Sequence, residues 1–372
     1  MQKQFSLLCL FIFFSSCDST DQVEKGLVEF DLDQLTTATL SSDFDLIKIV
    51  QLNSNDVLIG SIKNVEVAGD EIFILDGLRT NGIYKFSLDG DYLGKIGAAG
   101  NGPGEYGTIE NFAIDDNRIL VVDSEKRKVD LYSRDGSFTS TLSRDVFGLD
   151  IMAIPNDEFV IYSGNSTNKG LNKKLFFFND MGEISSSIQA VNLNQAGFLN
   201  ITPQKVFSRN GLYLEPFSDK IFDLSKGQFD PVYKLSFGKN TLKQGGLDGN
   251  YDNIMVFLNA MREKNYAMLF SEFFETDNTL SFSFEYGGVG KRHHVFINKD
   301  SLTYSMFSSY IEDYLTTGLQ IEKVDFKLVG STSEYFIFMI DSNTLANGEA
   351  QFNDLSMDVD DNPVLMFMKL KQ

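Results

Sequence analysis

From residue 62 onward the chain alternates apolar and polar positions in short runs, each ended by a turn signal, which is the period of half-buried β-strands. The segment "IKNVEVAGDEIFILDGLRTNGIYKFSLDGDYLGKIG" (62–97) lays over "IENFAIDDNRILVVDSEKRKVDLYSRDGSFTSTLS" (109–143) with one residue of slack. Ile62, Val65, Val67, Ile72, Ile74 and Asp76 match Ile109, Phe112, Ile114, Ile119, Val121 and Asp123. Beyond the slack, Phe86 to Gly90 in the first copy fall on Tyr132 to Gly136 in the second. Gly-Asp, Asp-Asn and Asp-Gly pairs divide each copy into four strands. A four-stranded repeat of about 45 residues is the unit of a β-propeller.

Weaker copies begin at Ile151, Gln204, Leu269 and Lys323. The last is completed by "NPVLMFMKLK" (362–371), which leaves no chain for a fourth strand, so "FDLIKIVQL" (44–52) is expected to fill that place. The expected fold is therefore all-β, a six-bladed β-propeller over 44–372 with the N-terminal strand closing the last blade and removing an exposed edge. Short helical insertions are expected at 248–269, where Ile254, Phe257, Leu258 and Met261 have helical spacing, and in "SSYIEDYLTTGLQ" (308–320).

The first residues follow another pattern. "MQKQFSLLCLFIFFSSC" carries Lys3, then an apolar run, then small residues ending in Cys17, and reads as a signal peptide over 1–16 with Cys17 as the lipidated residue of a lipoprotein. The following residues are polar, so 17–43 is expected to be a tether with structure starting near Phe44. That places the protein in the cell envelope, attached to the membrane by lipid and facing the periplasm or the surface.

Four short stretches carry a likeness to a family: Gly100-Asn101-Gly102-Pro103-Gly104-Glu105-Tyr106, Pro216-Phe217-Ser218-Asp219, Glu275-Thr276 and Asp361-Asn362-Pro363-Val364-Leu365. In this order the chain resembles six-bladed β-propeller lipoproteins of Bacteroides-type bacteria, related to NHL-like propellers. The resemblance implies fold and export, and it implies no reaction and no catalytic residues.

Composition narrows the partners. A net charge of -20 disfavours nucleic acid. A hydrophobic content of 42% with 34 Phe suits a large aromatic β core, and the absence of Trp removes the commonest stacking platform for neutral sugars. The only other cysteine, Cys9, lies inside the signal, and His293 and His294 are the only histidines. Alternation points those two to opposite sides, so they cannot form a two-histidine metal site together and one at most faces the pocket, and no metal or cofactor is expected. The acidic "DVDDNP" from Asp358 is no EF-hand, because Pro363 and Lys369 occupy the positions that need Gly and Glu.

In a propeller the loops between second and third strands and those between blades share one face. On that face fall the glycine-rich loop with Asn101, Glu105 and Tyr106, the bases Arg79, Arg127, Lys173 and Arg292, and also Asp219 and His293. The other face is strongly acidic. These nine residues are the candidate ligand-binding set, with Arg and Lys suited to a carboxylate, sulfate or phosphate. Local salt bridging is the plainer use of the same charges, and holding two blades together is the plainer use of the glycine loop. The functional expectation is binding of a small or polymeric anionic ligand, a glycan or peptide, without catalysis. A lyase or hydrolase at the same face is the alternative, and a scaffold docking an outer-membrane protein is a third.

Overall fold

A computed structural model of the chain describes residues 26–77, 81–144, 146–166, 170–191, 201–225, 229–243, 247, 249, 251–315, 319–321, 326–342 and 361–371. The expected signal peptide, Cys17 and Arg79 lie outside these residues. The first repeat forms the meander Ile62–Ala68, Glu71–Asp76, Gly82–Ser87 and Tyr92–Ile96, and the second forms Ile109–Ile114, Arg118–Asp123, Lys128–Ser133 and Phe138–Arg144. Both begin with the same irregularity: the pairs Ile62↔Asp76 and Ile109↔Asp123 are each followed by a register shift at Asn64 and Asn111. A bulge of this kind re-aims the next side chain. Here Asn64 and Asn111 are fully buried and meet each other, Nδ2 to Oδ1, at 2.9 Å.

The matched aspartates have a shared task. Asp76 accepts the Ser61 amide at 3.1 Å, and Asp123 accepts the Gly107 and Thr108 amides at 2.7 and 3.3 Å. Each one fastens the segment that enters its own repeat. The third copy is a four-stranded sheet of Asp150–Ile154, Glu158–Tyr162, Lys173–Phe178 and Ile184–Ala190.

The expected count of six four-stranded blades is corrected. The propeller-like all-β arrangement stands, but the described strands form three four-stranded sheets, one of six strands, one of eight, and a two-stranded ribbon. The eight-stranded sheet arises because the last repeat, Phe326–Ser331, Phe336–Ile340 and Val364–Leu370, is joined to the first through the parallel bridge Gly330↔Val65. Gly330 permits this approach, since a Cβ there would lie 2.5 Å from the Val65 carbonyl oxygen. The N-terminal strand Phe44–Gln51 pairs antiparallel with Val364–Leu370, and so belongs to this large sheet.

Structure also begins before Phe44, where a tether was expected. Gly26–Glu29 pairs parallel with Asp230–Ser236, and Thr36–Thr39 pairs parallel with Tyr304–Glu312. Val28, Phe30, Ala38 and Leu40 are buried in this stretch, enough apolar surface to hold it against two sheets. Polar neighbours hid that alternation. The helix Ile254–Glu263 forms as its spacing predicts, capped by Asn253, which accepts from the Met255 and Val256 amides, and it buries Phe257, Leu258 and Met261. Residues 308–312 instead extend the strand Tyr304–Glu312, where pairing with Thr36–Thr39 on one side and Leu319–Ile321 on the other overrides helical spacing. Asp361 and Asn362 act as fasteners: Ser54 Oγ donates to Asp361 at 2.8 Å, while buried Asn362 bonds Ile59 N, Asn53 O and Val57 O.

Candidate functional site

The glycine-rich loop folds upon itself. Ala98–Ala99 pairs with Glu105–Tyr106, Glu105 accepts the Gly102 amide at 2.7 Å, and Tyr106 is fully buried. Lys126 donates to the Gly100 and Glu105 carbonyls, Lys128 donates to the Glu105 carbonyl, and the Tyr132 hydroxyl donates to the Gly104 carbonyl. Gly100 has φ 156°, a backbone conformation that side-chain-bearing residues rarely adopt, and its Cα faces the Glu105 carboxylate. The loop is a clasp between the first two repeats.

A cavity of about 400 Å³ opens at the loop-side mouth of the axis, where the innermost strands begin. Lys63, Gln204, Ser271, Glu272, Arg292 and Lys327 bring polar groups to it from four separate repeats. The strand Met268–Glu275 is distorted here, with register shifts on both sides of Ser271 and left-handed backbone at Leu269 (φ 57°) and Glu272 (φ 54°). For residues other than glycine such conformations cost of order 1–3 kcal/mol and gather at functional sites. They turn the Glu272 carboxylate onto His294, whose Nε2 lies 3.1 Å from Oε2, while His294 Nδ1 lies 2.6 Å from the Tyr310 hydroxyl.

Burial alone would raise the pKa of Glu272. The hydrogen bond and charge of His294, the charge of Arg292 and the Ser283 hydroxyl outweigh it, and the carboxyl is held down to about 2. Because the folded pKa lies below the unfolded value, this stabilisation is full above about pH 4.5 and is lost as the pH falls toward 2. Glu272→Gln is therefore expected to remove roughly 2–3 kcal/mol of the acid-dependent loss of stability, read from urea melts across that window. An unchanged acid slope in the variant would show that this carboxylate does not carry the effect.

Of the nine sequence-derived site residues, Arg292 lines this cavity, donating to Ser283 Oγ at 3.0 Å and standing 4.0 Å from Glu272. Asp219 lines a different groove. Arg127 is exposed in a turn, Asn101 is exposed in the clasp, and Lys173 opens the strand Lys173–Phe178. His293 turns away, its Nε2 3.0 Å from the Tyr286 carbonyl and its ring against Phe284. The histidine that reaches the site is His294, on the same side of its strand as Arg292. That alternation was visible in sequence. The contributions of Glu272, Lys63 and Lys327 were not, since they depend on a bulge and on strands far apart in the chain.

A family model described as a domain of unknown function, DUF4934, matches residues 27–369. The chain belongs to that family. No curated protein matches it. Among solved structures, the DUF4934 chain is similar to a Bacteroides fragilis protein classed as exported, with TM-score 0.69 and 17% identity, over 93% of this chain and 100% of that one. It is also similar to a member of the DUF4221 family from Bacteroides vulgatus, with TM-score 0.52 and 10% identity, over 89% and 98%. At these identities the likeness is one of fold.

Proposed function

We propose that this protein is exported, is held in the cell envelope by lipid on Cys17, and binds a small or polymeric anionic ligand at the axial mouth without catalysis. The observation that carries the reading is the charge of the cavity. In a chain of net charge -20, the mouth is lined by three cations, Lys63, Arg292 and Lys327, and one anion, Glu272. Lys63 is committed to Glu110 at 3.0 Å and Arg292 is beside Glu272, whereas Lys327 has no ion pair or side-chain hydrogen bond among the described residues. An unpaired ammonium in a concave, partly desolvated place gains most from an incoming carboxylate. Export is supported by the signal-like first residues and by the exported class of the Bacteroides fragilis protein.

The test is calorimetric binding of galacturonate, with glucose as the neutral control. Lys327→Ala is expected to weaken galacturonate binding about tenfold or more, in line with a lost charge-assisted hydrogen bond, and added salt is expected to weaken it further. Equal, salt-insensitive binding of both sugars by both proteins would sink the anion reading. Metabolic lipid labelling that survives Cys17→Ala would sink the anchor. The Glu272, His294 and Tyr310 chain beside Arg292 favours one second reading, a lyase or hydrolase at this cavity. Turnover of an acidic oligosaccharide, abolished by Glu272→Gln, would establish it.

A further inference from the structure

A second, larger depression lies away from the axis. A groove of about 1090 Å³ runs along the loop-side ends of the 150–190 and 212–236 sheets. The groove is built around buried Glu215, which accepts from Lys174 Nζ at 2.7 Å, from the Tyr213 hydroxyl at 2.9 Å and from the Gln189 side-chain amide. Gln189 is itself in the left-handed region, with φ 57°. One wall is aromatic: Phe222 and Phe229 stack with centroids 4.0 Å apart and planes within 10°, and both stay partly exposed. Lys234 and Lys243 also line the groove, and neither has an ion pair or side-chain hydrogen bond among the described residues. The carboxylate of Asp219 is equally uncommitted among them.

We infer that this groove binds an acidic oligosaccharide. Uronate carboxylates pair with Lys234 and Lys243, the apolar face of a sugar ring lies on the Phe222 and Phe229 pair, and ring hydroxyls donate to Asp219. This chemistry accounts for all three uncommitted elements together. A compact phosphate ligand leaves the aromatic wall unused, and a neutral glycan leaves both ammonium groups unpaired. The volume exceeds what a single sugar fills, so the ligand is a chain. The inference is independent of the axial site, since the two cavities share no lining residue.

The probe is tetragalacturonate, titrated into the intact mature protein at low and high salt, with maltotetraose as the neutral chain of equal length. The wild type is expected to bind tetragalacturonate in a salt-dependent manner and maltotetraose at least about tenfold more weakly. The double variant Lys234→Ala/Lys243→Ala is expected to lose about tenfold or more in affinity at an unchanged melting temperature, because both side chains reach solvent. Bound tetramer is expected to shield these two amines from acetylation. Lys327→Ala, which alters the axial mouth, is expected to leave the shielding of Lys234 and Lys243 by bound tetramer unchanged. No binding, equal binding of the two tetramers, or unchanged affinity in the lysine variant overturns the inference. Loss confined to Lys327→Ala also overturns it, by placing the chain at the axis.

Discussion

A chain begun at Leu52 is expected to show no cooperative thermal transition, whereas one begun at Phe44 is expected to fold with a lowered melting temperature. The difference lies in the strand Phe44–Gln51. It covers the outer edge of Val364–Leu370 over its whole length, from Gln51↔Val364 to Phe44↔Leu370. Phe44 is fully buried and packs edge-on against Phe296 and Phe338, each with centroids 5.4 Å away, so it ties the eight-stranded sheet to its neighbour. Losing one such ring costs about 3–5 kcal/mol, comparable with the whole stability of many domains, and removal of the strand also bares a row of backbone donors and acceptors. The chain begun at Phe44 loses the outer strands Gly26–Glu29 and Thr36–Thr39 but keeps this seam. Circular dichroism melts of the three lengths check the order. Identical melting of the Leu52 chain and the full-length protein would refute the role given to the seam.

Asp150→Ala is expected to be the most damaging substitution of a single polar residue, at about 3–5 kcal/mol. Its side chain is fully buried and accepts from Val206 N at 2.8 Å, Phe207 N at 3.3 Å, Ile151 N at 2.9 Å and Asn111 Nδ2 at 2.6 Å. Through Asn111 it reaches Asn64, so one carboxylate holds the innermost segments of four repeats around the axis. Alanine leaves these donors buried without an acceptor. Asp150→Asn keeps one acceptor oxygen and is expected to cost less than alanine. Burial raises the pKa of Asp150 despite the opposing charge of Lys205 and the backbone donors. The native state therefore keeps this proton longer than the unfolded chain, and the asparagine variant is expected to lose that pH dependence. Urea melts of both variants provide the measurement, and an alanine variant as stable as the asparagine one would contradict the hydrogen-bond account.

The repeat was legible in sequence because its signals are local. Alternation in "EIFILD" and "RILVVD" marks two equivalent second strands, and the turn pairs mark their ends. Asp76 and Asp123 matched in sequence because each binds a backbone segment within its own repeat. The glycine loop makes the contacts of its plainer use, a hold between two repeats, for a related reason. Glycine records that the backbone must come close to something, and here Gly100 comes close to Glu105 of the same loop.

The sequence by itself determined the all-β meander, the positions of the turns, the helix Ile254–Glu263 and the pairing of Phe44–Gln51 with Val364–Leu370, because periodicity and turn chemistry act over a few residues. Tertiary structure alone decided how the sheets divide. The Gly330–Val65 bridge joins strands from opposite ends of the chain, and the burial of Val28 and Ala38 depends on surfaces supplied by residues far downstream. The axial site belongs to the same class. Lys63, Glu272, Arg292 and Lys327 meet because bulges turn one strand and three repeats converge on an axis, and neither event leaves a spacing in the sequence.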